Sequence, residues 1–437
     1  MRIAVVNNFF PPRVGGSAHL SQALAMHFAA AGHEVIVITG SYGGAPPFEQ
    51  ADGYRVVRLT GWTLPKTKLA FNFDINFVST PRNFKRLWQL LDDFRPEVIH
   101  QHGQFFDLTF LTSLYSRRRR IPTVLSVHTR LEHTSRGANF VLSALDHTLV
   151  RAFIALGRPH VVAMDKLMHR YIIHRYGVPE DRIAPIPVGI DVATTSSQVL
   201  RNVRREFKLT ECPIILSLGH VIPIRNRLAL VDALPEVLRR HSDAVLLVVG
   251  TVYDARFLDR ASELGVLDHV KAVGALPKSE ISAFLAAADV DAHDLSGYGL
   301  GTANLEAMAA GVPVIAAVDE DNFPGITLRS WENVILVARD DPSAIAEAID
   351  RVLTDAPSRE RVIRGQHTLV ADHFTLDRVA DAYLQLFGKV IASRRTLAIL
   401  GSDASRVVIG EEVGHLHDHA RGHSTHDRPR RHVVSDD

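Results

Sequence analysis

Two glycine-rich turns, each followed at once by a helical pattern, are the segments of this sequence most suited to hold an anion. The first is residues 12–16, which end in Gly15 and Gly16, and the second is residues 298–302. Glycine lets a ligand approach the main chain closely, and free N–H groups at a helix start favour negative charge. Either turn could also simply cap its helix. The candidate binding residues of the second segment are Tyr298, Gly299, Leu300, Gly301, Thr302 and, further into the helix, Glu306.

Titratable and charged side chains follow the predicted strands of both halves. His102 and His128 follow two successive strands of the first half, and His220 and Arg225 lie in the loop after the first strand of the second half. Arginine donates a forked pair of hydrogen bonds that matches a phosphate, and histidine exchanges protons near neutral pH. Taken singly, each is at least as often structural, but their shared position favours function. His100 and His102 could form a metal pair, yet no third ligand lies nearby in the sequence, so we predict no metal site.

Short β-branched runs alternate with longer helical patterns along almost the whole chain. This alternation is typical of parallel sheets covered by helices on both faces, an α/β fold. In such open sheets, ligands bind beyond the carboxyl ends of the strands, where the turns and histidines described above would lie. We predict strands at residues 3–6, 34–39, 98–100, 123–127, 214–218, 244–249, 270–273 and 312–316. We predict helices at residues 17–31, 83–94, 105–115, 228–240, 255–264, 279–287, 304–310, 343–353 and 376–392.

This many strands exceed one six-stranded sheet, so we divide the chain into two doubly wound domains. We predict a first domain at residues 1–185 and a second at residues 186–392, with the hinge in the stretch 185–191, which contains proline and glycine. Residues 393–437 lose the periodicity and contain six histidines, a pattern that favours a mobile tail over a metal site.

The composition argues against several other classes of protein. The 437 residues carry 49 Lys and Arg against 48 Asp and Glu, and the formal net charge of +1 does not suit a dedicated nucleic-acid binder. The single cysteine, Cys212, rules out an internal disulfide framework. Neither a Gly-x-Gly-x-x-Gly fingerprint nor a P-loop occurs, which counts against a nicotinamide dehydrogenase and a P-loop enzyme.

The location of the protein is also an expectation from sequence. The first apolar run is too short for a signal peptide, and no run approaches the roughly 18 apolar residues of a membrane span, so we expect a cytoplasmic protein. Residues 117–120 are four arginines that follow an apolar helical pattern. Such a cluster either draws the protein to anionic lipid at the inner face of a membrane or simply complements the helix dipole.

Several motifs in combination resemble family 4 of the retaining glycosyltransferases, the group 1 glycosyl transferases, over residues 1–392. The resemblance implies the GT-B architecture, in which two Rossmann-like domains face each other across a cleft. It also implies a sugar nucleotide held mainly by the second domain and an acceptor on the first. The motifs occupy residues 12–16, 32–35, 98–103, 186–191, 219–226 and 305–315, and the last is the most specific.

The resemblance assigns roles to individual residues. Gly16 would meet the diphosphate across the cleft, Arg225 would take the place of the family's phosphate-binding lysine, and Glu306 that of its ribose-binding glutamate. His102 and His128 would face the donor sugar and the acceptor. Arg225, a protonated His220 and the main-chain amides around Gly16 and residues 301–302 would then stabilise the departing diphosphate.

Three positions depart from the family's pattern. His220 stands where the family usually has arginine, and Asn226 replaces a glycine. Tyr298 replaces the first glutamate of the family's Glu-x7-Glu motif, the residue that contacts the transferred sugar. The identity of the donor sugar is therefore the part of the resemblance that these departures affect most.

The sequence thus predicts transfer of a glycosyl group with retention, from a nucleotide diphosphate sugar to a hydroxyl of a glycan or glycolipid. A UDP-sugar is the favoured donor and GDP-mannose the second choice, with no cofactor and no metal required. Two alternatives stay open. One is a sugar-nucleotide 2-epimerase of the same architecture, which needs no acceptor, and the other is a nucleotide-binding relative that has lost transfer.

Overall fold

In the computed structural model, which describes residues 1–13, 15–64, 75–131, 136–192, 202–297 and 299–414, strands and helices alternate along the chain. The strands are β1 (Arg2–Asn7), β2 (Glu34–Gly40), β3 (Phe48–Gln50), β4 (Tyr54–Leu59), β5 (Trp62–Leu64), β6 (Ile75–Phe77), β7 (Val98–His102), β8 (Thr123–Val127), β9 (His160–Ala163), β10 (Ile183–Pro185), β11 (Ile214–Leu218), β12 (Val245–Val249), β13 (Val270–Gly274), β14 (Val290–Ala292), β15 (Val314–Ala316) and β16 (Ile335–Leu336).

The α-helices lie between these strands and after the last of them. They are Gly16–Ala30, Pro81–Phe94, Asp107–Arg119, Arg136–Leu145, Arg151–Gly157, Lys166–Tyr171, Val203–Glu206, Arg227–Arg240, Arg256–Glu263, Lys278–Ala287, Thr302–Ala309, Pro342–Thr354, Ala356–His373 and Leu376–Gly414.

The strands form two large sheets, which define a first and a second domain. The first sheet has the order β10-β9-β8-β7-β1-β2-β4-β3, and the second has the order β13-β12-β11-β14-β15-β16. Every neighbouring pair in both sheets is parallel except β3 and β4. The predicted α/β fold of two doubly wound parallel sheets is confirmed.

The central strands of the second sheet are continuous runs of buried residues. All five residues of β11 and all five of β12 are buried, as expected for a parallel sheet covered on both faces. On one face of the second sheet, Leu216 and Leu247 belong to one hydrophobic cluster. On the other face, Ile215 and Leu246 belong to a second cluster. Burial on both faces leaves the strand ends as the places where polar side chains reach solvent and ligands.

Register places the polar ends of the first sheet side by side. In β7, His102 lies opposite Asn7 of β1 and opposite Ser126 of β8. The carboxyl ends of these three central strands therefore meet at one edge, which is also where the glycine turn at residues 15 and 16 leaves β1.

The sequence did not predict some of the strands and helices, because they lack a plain apolar pattern. Strand β4 contains Arg55 and Arg58, and the buried Arg58 side chain is paired with Glu49 at 2.7 Å. The predicted strand at 312–316 begins only at Val314. The helix Ala356–His373 was not predicted at all, since its buried residues include polar Ser358 and Gln366.

The last helix, Leu376–Gly414, leaves the second domain and packs its first turns against the first. The Tyr383 hydroxyl lies 2.8 Å from Ser126 Oγ, and the rings of Phe387 and Phe28 are 5.4 Å apart. This helix of the predicted second domain thus also contacts the first. The chain separates into the units Met1–Val390 and Ile391–Asp437. Residues 393–414 of the predicted tail are helical, and its six histidines lie outside the described residues.

One described helical stretch has the length and composition of a membrane span, where we had expected none. It is Arg136–Gly157, 22 residues long with a mean hydropathy of 1.4, and 22% of it is buried. Length and composition are weak evidence for crossing a membrane, but the small buried share shows that much of its apolar surface faces outward.

Candidate active site

The glycine turn of the first domain is open, as predicted. Gly15 is the N-cap of the helix Gly16–Ala30, and Ser17 lies inside the helix, in its first turn. No described atom lies within 4 Å of a Cβ built on Gly15 or Gly16. Open space therefore lies beside this helix start, where the turn was predicted to let an anion approach the main chain.

Beside this turn, three imidazoles form a histidine cluster, which we define as His100, His102 and His128. His102 Nδ1 and His128 Nε2 are 2.9 Å apart, and their rings are stacked with centroids 5.1 Å apart. The ring of His100 is 4.2 Å from that of His102, and its Nε2 lies 2.9 Å from Ser126 Oγ. The structure thus brings the two predicted histidines into direct contact.

Burial keeps the histidine cluster uncharged. It lowers the pKa of His128 to about 4 and that of His100 to about 3, and the neighbouring His128 also disfavours a charge on His100. The pKa of His102 is also well below its ordinary value, because of burial first and then of its two neighbours. Near neutral pH the three rings can take part in hydrogen bonds as neutral imidazoles, but none of them supplies a positive charge.

Across the molecule, the predicted phosphate-binding arginine occupies a defined position at the carboxyl edge of the second sheet. Arg225 forms an ion pair with the buried carboxylate of Asp294, and its Nη1 lies 3.4 Å from His293 Nε2. The guanidinium also lies against Gly301, since a Cβ built there would be 2.9 Å from Arg225 Nη1. Arg225 and the second glycine turn therefore belong to one site.

The second glycine turn differs in part from the prediction. The Gly301 N–H, which we expected to face a ligand, donates instead to Asp294 Oδ2 at 2.9 Å. Leu300 is 6% exposed and packs in the core, so only its main chain can face a ligand. Gly299 has a φ of +112°, and a Cβ built there would be 3.3 Å from Asn322 Oδ1. Thr302 is exposed in the first turn of its helix, and Tyr298 lies outside the described residues.

The pKa of His220 is lowered by the surroundings of the ring. Burial and the neighbouring Arg225 lower its pKa, so the ring is neutral near pH 7. A second cation beside Arg225 is disfavoured, but a diphosphate would oppose this effect, so the protonated His220 stays a prediction. The ring stands edge-on to Tyr253, with centroids 5.5 Å apart.

Glu306 lies in the helix Thr302–Ala309, where the sequence placed it, with a partner that was not foreseen. Its carboxylate is 3.6 Å from Lys278 Nζ. Burial raises the pKa of Glu306, and Lys278 opposes that rise. The pKa of His19 is lowered by burial and by the charge of the same lysine. Lys278 thus acts electrostatically both on His19 of the first domain's glycine helix and on Glu306 of the second domain.

A buried polar network supports the arginine and was missed from sequence. His293 Nδ1 is 3.3 Å from Asp291 Oδ2, and Asn304 Nδ2 donates to the same oxygen at 3.2 Å. Arg227 Nη1 donates to the His293 carbonyl oxygen at 2.7 Å. The sequence signal was a His-Asp pair directly after β14, where an apolar strand gives way to charged residues. For a metal, no group of three or more suitable ligands occurs among the residues that the structure describes, and the requirement for none stays a prediction.

The family comparisons match both halves of the chain. The family described as "Glycosyltransferase Family 4" matches residues 14–194, and the family described as "Glycosyl transferases group 1" matches residues 201–367. Together the two matches cover the second sheet, the first sheet except β1, and the segments that carry the histidine cluster, Arg225 and Glu306.

Individual relatives agree with the family matches. A GDP-mannose-dependent alpha-(1-6)-phosphatidylinositol monomannoside mannosyltransferase of Mycolicibacterium smegmatis is 28% identical, over 83% of this chain and 92% of its own. An uncharacterized glycosyltransferase of Methanocaldococcus jannaschii is 26% identical, over 89% of this chain and 98% of its own. Among solved structures, Anabaena HepE in complex with UDP is similar in fold, with a TM-score of 0.65, 16% identity and coverage of 89% of this chain and 100% of that one.

Proposed function

The chain belongs to the group 1 glycosyltransferases and has the GT-B architecture, and from this premise we propose that it transfers a glycosyl group from a nucleoside diphosphate sugar to a hydroxyl acceptor with retention of configuration. The observation that carries the proposal is that Arg225 lies against the second glycine turn. Glu306 lies in the helix that begins directly after this turn. A cation for the diphosphate and a carboxylate for the ribose hydroxyls are thereby held on one rim.

In the proposed reaction the bond between the anomeric carbon and the diphosphate oxygen breaks, and its electron pair leaves with the diphosphate. The acceptor oxygen forms the new bond on the same face, and its proton passes to the departing phosphate oxygen. Arg225 and the open amides at Gly15 and Gly16 stabilise the growing negative charge. The neutral histidine cluster borders the sugar without adding a second cation, and its position suits His128 for orienting the acceptor hydroxyl.

The test is a donor panel with UDP-glucose, UDP-galactose, UDP-N-acetylglucosamine and GDP-mannose, with and without phosphatidylinositol or simple glycans as acceptor. GDP-mannose is included because relatives such as the mycobacterial mannosyltransferases depend on it. Release of nucleoside diphosphate that requires the acceptor, with the product's α-anomer seen by NMR, supports the proposal. An isomerised sugar nucleotide without acceptor would indicate an epimerase, and tight binding without release from any donor would indicate a relative that has lost transfer.

We also propose that the acceptor is reached at a membrane surface, because the first domain carries an apolar face next to arginines. Phe140 is 75% exposed, and Val141, Leu145 and Leu149 of the same helical stretch are also exposed. Arg117 Nη1 donates to the Leu156 carbonyl oxygen at 3.1 Å, so the arginine segment adjoins this stretch. Arg119 is paired with Asp92 at 2.6 Å and contributes less charge. An apolar face bordered by cations suits the headgroup region of an anionic bilayer.

Vesicle sedimentation tests this location. The protein should sediment with vesicles of phosphatidylglycerol and phosphatidylcholine more than with phosphatidylcholine alone, and Phe140→Asp should reduce binding about tenfold or more, since one buried aromatic side chain contributes about 1.5–3 kcal/mol. The matched control is Leu267→Asp, an exposed leucine of the second domain, which should bind as the parent does. Equal binding by parent and Phe140→Asp would reject the membrane face, and a dimer that dissociates on this substitution would assign it to a second copy.

A further inference from the structure

Asp294 connects the two segments that the proposed function assigns to the diphosphate and the ribose. Its carboxylate pairs with Arg225, a residue of the loop that follows β11. It also accepts a hydrogen bond of 2.9 Å from the N–H of Gly301, the residue before the helix that carries Glu306. The carboxylate is 6% exposed, whereas the Arg225 side chain is 32% exposed. One buried acceptor therefore joins a partly open cation to the turn beside it.

The charge of Asp294 is maintained despite its burial. Burial alone would raise the pKa of this carboxyl group, but His293 and Arg225, together with the hydrogen bonds from Arg225 and Gly301, hold it below its ordinary value. The carboxylate is thus ionised at neutral pH. It fixes the guanidinium at one edge and leaves the other N–H groups of Arg225 for a ligand, because a guanidinium carries five donors.

Resting on the proposed function, we infer that Asp294 is a positioning residue with two opposed effects on the diphosphate: it orients Arg225 for the transition state, and its negative charge limits how tightly the diphosphate is held. Orientation favours turnover because a fixed donor costs no reorganisation when charge develops. The like charge of Asp294 opposes the diphosphate whenever Arg225 is not there to compensate it.

A second ion pair at the other end of the same strand offers a matched control. Arg204 Nη2 is 2.7 Å from Asp289 Oδ2, and Asp289 also accepts the Ile214 N–H at 2.7 Å. Asp289 and Asp294 therefore share their chemistry, an arginine partner and a main-chain donor. They flank β14 from opposite sides, so only one of the two pairs can reach a ligand at the carboxyl edge.

The experiment is a double-mutant cycle on nucleoside diphosphate binding, measured by calorimetry with UDP and GDP on the full chain. Arg225→Ala should weaken binding about 30-fold or more, as expected for loss of charge-assisted hydrogen bonds. Asp294→Asn keeps the shape and an acceptor for Gly301 but removes the charge. The double variant Arg225→Ala/Asp294→Asn should bind about three- to tenfold more tightly than Arg225→Ala alone, because the uncompensated carboxylate is gone.

A comparison of kcat with diphosphate affinity distinguishes a positioning role of Asp294 from a merely structural one. Asp294→Asn should lower kcat about tenfold while diphosphate affinity stays equal or rises. In the control cycle, Arg204→Ala, Asp289→Asn and their combination should bind UDP and GDP as the parent does. Thermal unfolding of each variant identifies loss of folded protein, and affinities are compared on the folded fraction.

The outcomes separate this inference from the proposed function. If the parent binds neither UDP nor GDP, the proposed function fails and the inference with it. If the parent binds and Arg225→Ala weakens binding, but the double variant is no tighter than Arg225→Ala, the role of Asp294 is overturned while the proposed function stands. Parallel losses of affinity and kcat in Asp294→Asn would likewise overturn it, since they would reflect a structural defect only.

Discussion

The histidine cluster of the first domain and the Arg225–Asp294 pair of the second are both polar groups at the ends of strands. They differ in charge, since the cluster is neutral and the pair is ionised. In the cluster, burial keeps three titratable rings neutral and in contact with one another. In the pair, both groups keep their charge because each compensates the other. A buried charge is costly unless it is paired, and a neutral imidazole avoids that cost.

This difference suits the two groups to different parts of the substrate. The charged side of the site suits the nucleotide's diphosphate, which needs compensation by a cation. The neutral side suits uncharged sugar and hydroxyl groups, which need hydrogen-bond acceptors. A substitution on one side should therefore leave the function of the other side unaffected.

The largest effect should come from acid, and it should arise in the histidine cluster. Because their pKa values are lowered in the folded protein, the three rings contribute stability that is present above the unfolded value near 6.5 and is lost as pH falls toward about 4. Each ring should cost about 1.4 kcal/mol per pH unit in this window. Urea unfolding between pH 7 and 5 measures the slope, and His102→Asn should reduce it by about one proton.

The control for the acid prediction is a histidine outside the cluster. His174 is exposed, so His174→Asn should leave the pH dependence of the unfolding free energy unchanged. Identical slopes for the parent and His102→Asn would mean that the cluster is charged in the folded protein and would remove the contrast between the two domains.

A smaller effect should follow from removing the ring that we assign to the acceptor. His128→Ala should lower kcat about 100-fold, because the acceptor hydroxyl loses the group that orients it, while the Kd of nucleoside diphosphate stays unchanged. His174→Ala is the matched control. A weakened Kd in His128→Ala with unaltered kcat would place this histidine on the nucleotide side and reverse our assignment.

The smallest of the three effects should come from Glu306. Glu306→Gln should weaken nucleoside diphosphate binding about tenfold, because a charge-assisted hydrogen bond to a ribose hydroxyl becomes a neutral one. The parent should also bind 2′,3′-dideoxy nucleotides more weakly than ribonucleotides, and the variant should lose this preference. Glu263→Gln, on an exposed helix of the same domain, serves as control. An undiminished preference in Glu306→Gln would show that another residue contacts the ribose.

The elements most accurately predicted from sequence are those whose own residues decide their structure. The strands at 123–127 and 214–218 were predicted to the residue, because each is a continuous apolar or β-branched run that is buried on both faces. The positions of Arg225 and Glu306 on one rim followed from the rule that parallel strands present their carboxyl ends together.

What the sequence did not reveal depends on partners that are distant along the chain. The neutrality of His220 comes from burial and from Arg225, and the use of the Gly301 N–H comes from Asp294. Lys278 is a first-turn helix lysine, and nothing in its local sequence indicates that it lies beside Glu306. Such properties arise only when separate loops are brought together by the fold.

The contact of the final helix with the first domain has a consequence for how the chain is made. During synthesis the first domain emerges from the ribosome long before Tyr383 and Phe387, which cover Ser126 and Phe28. Domains generally fold in order of their emergence, so the nascent first domain must wait for the last helix with part of its interior still uncovered. Correct folding of the earliest residues therefore depends on some of the latest to be translated.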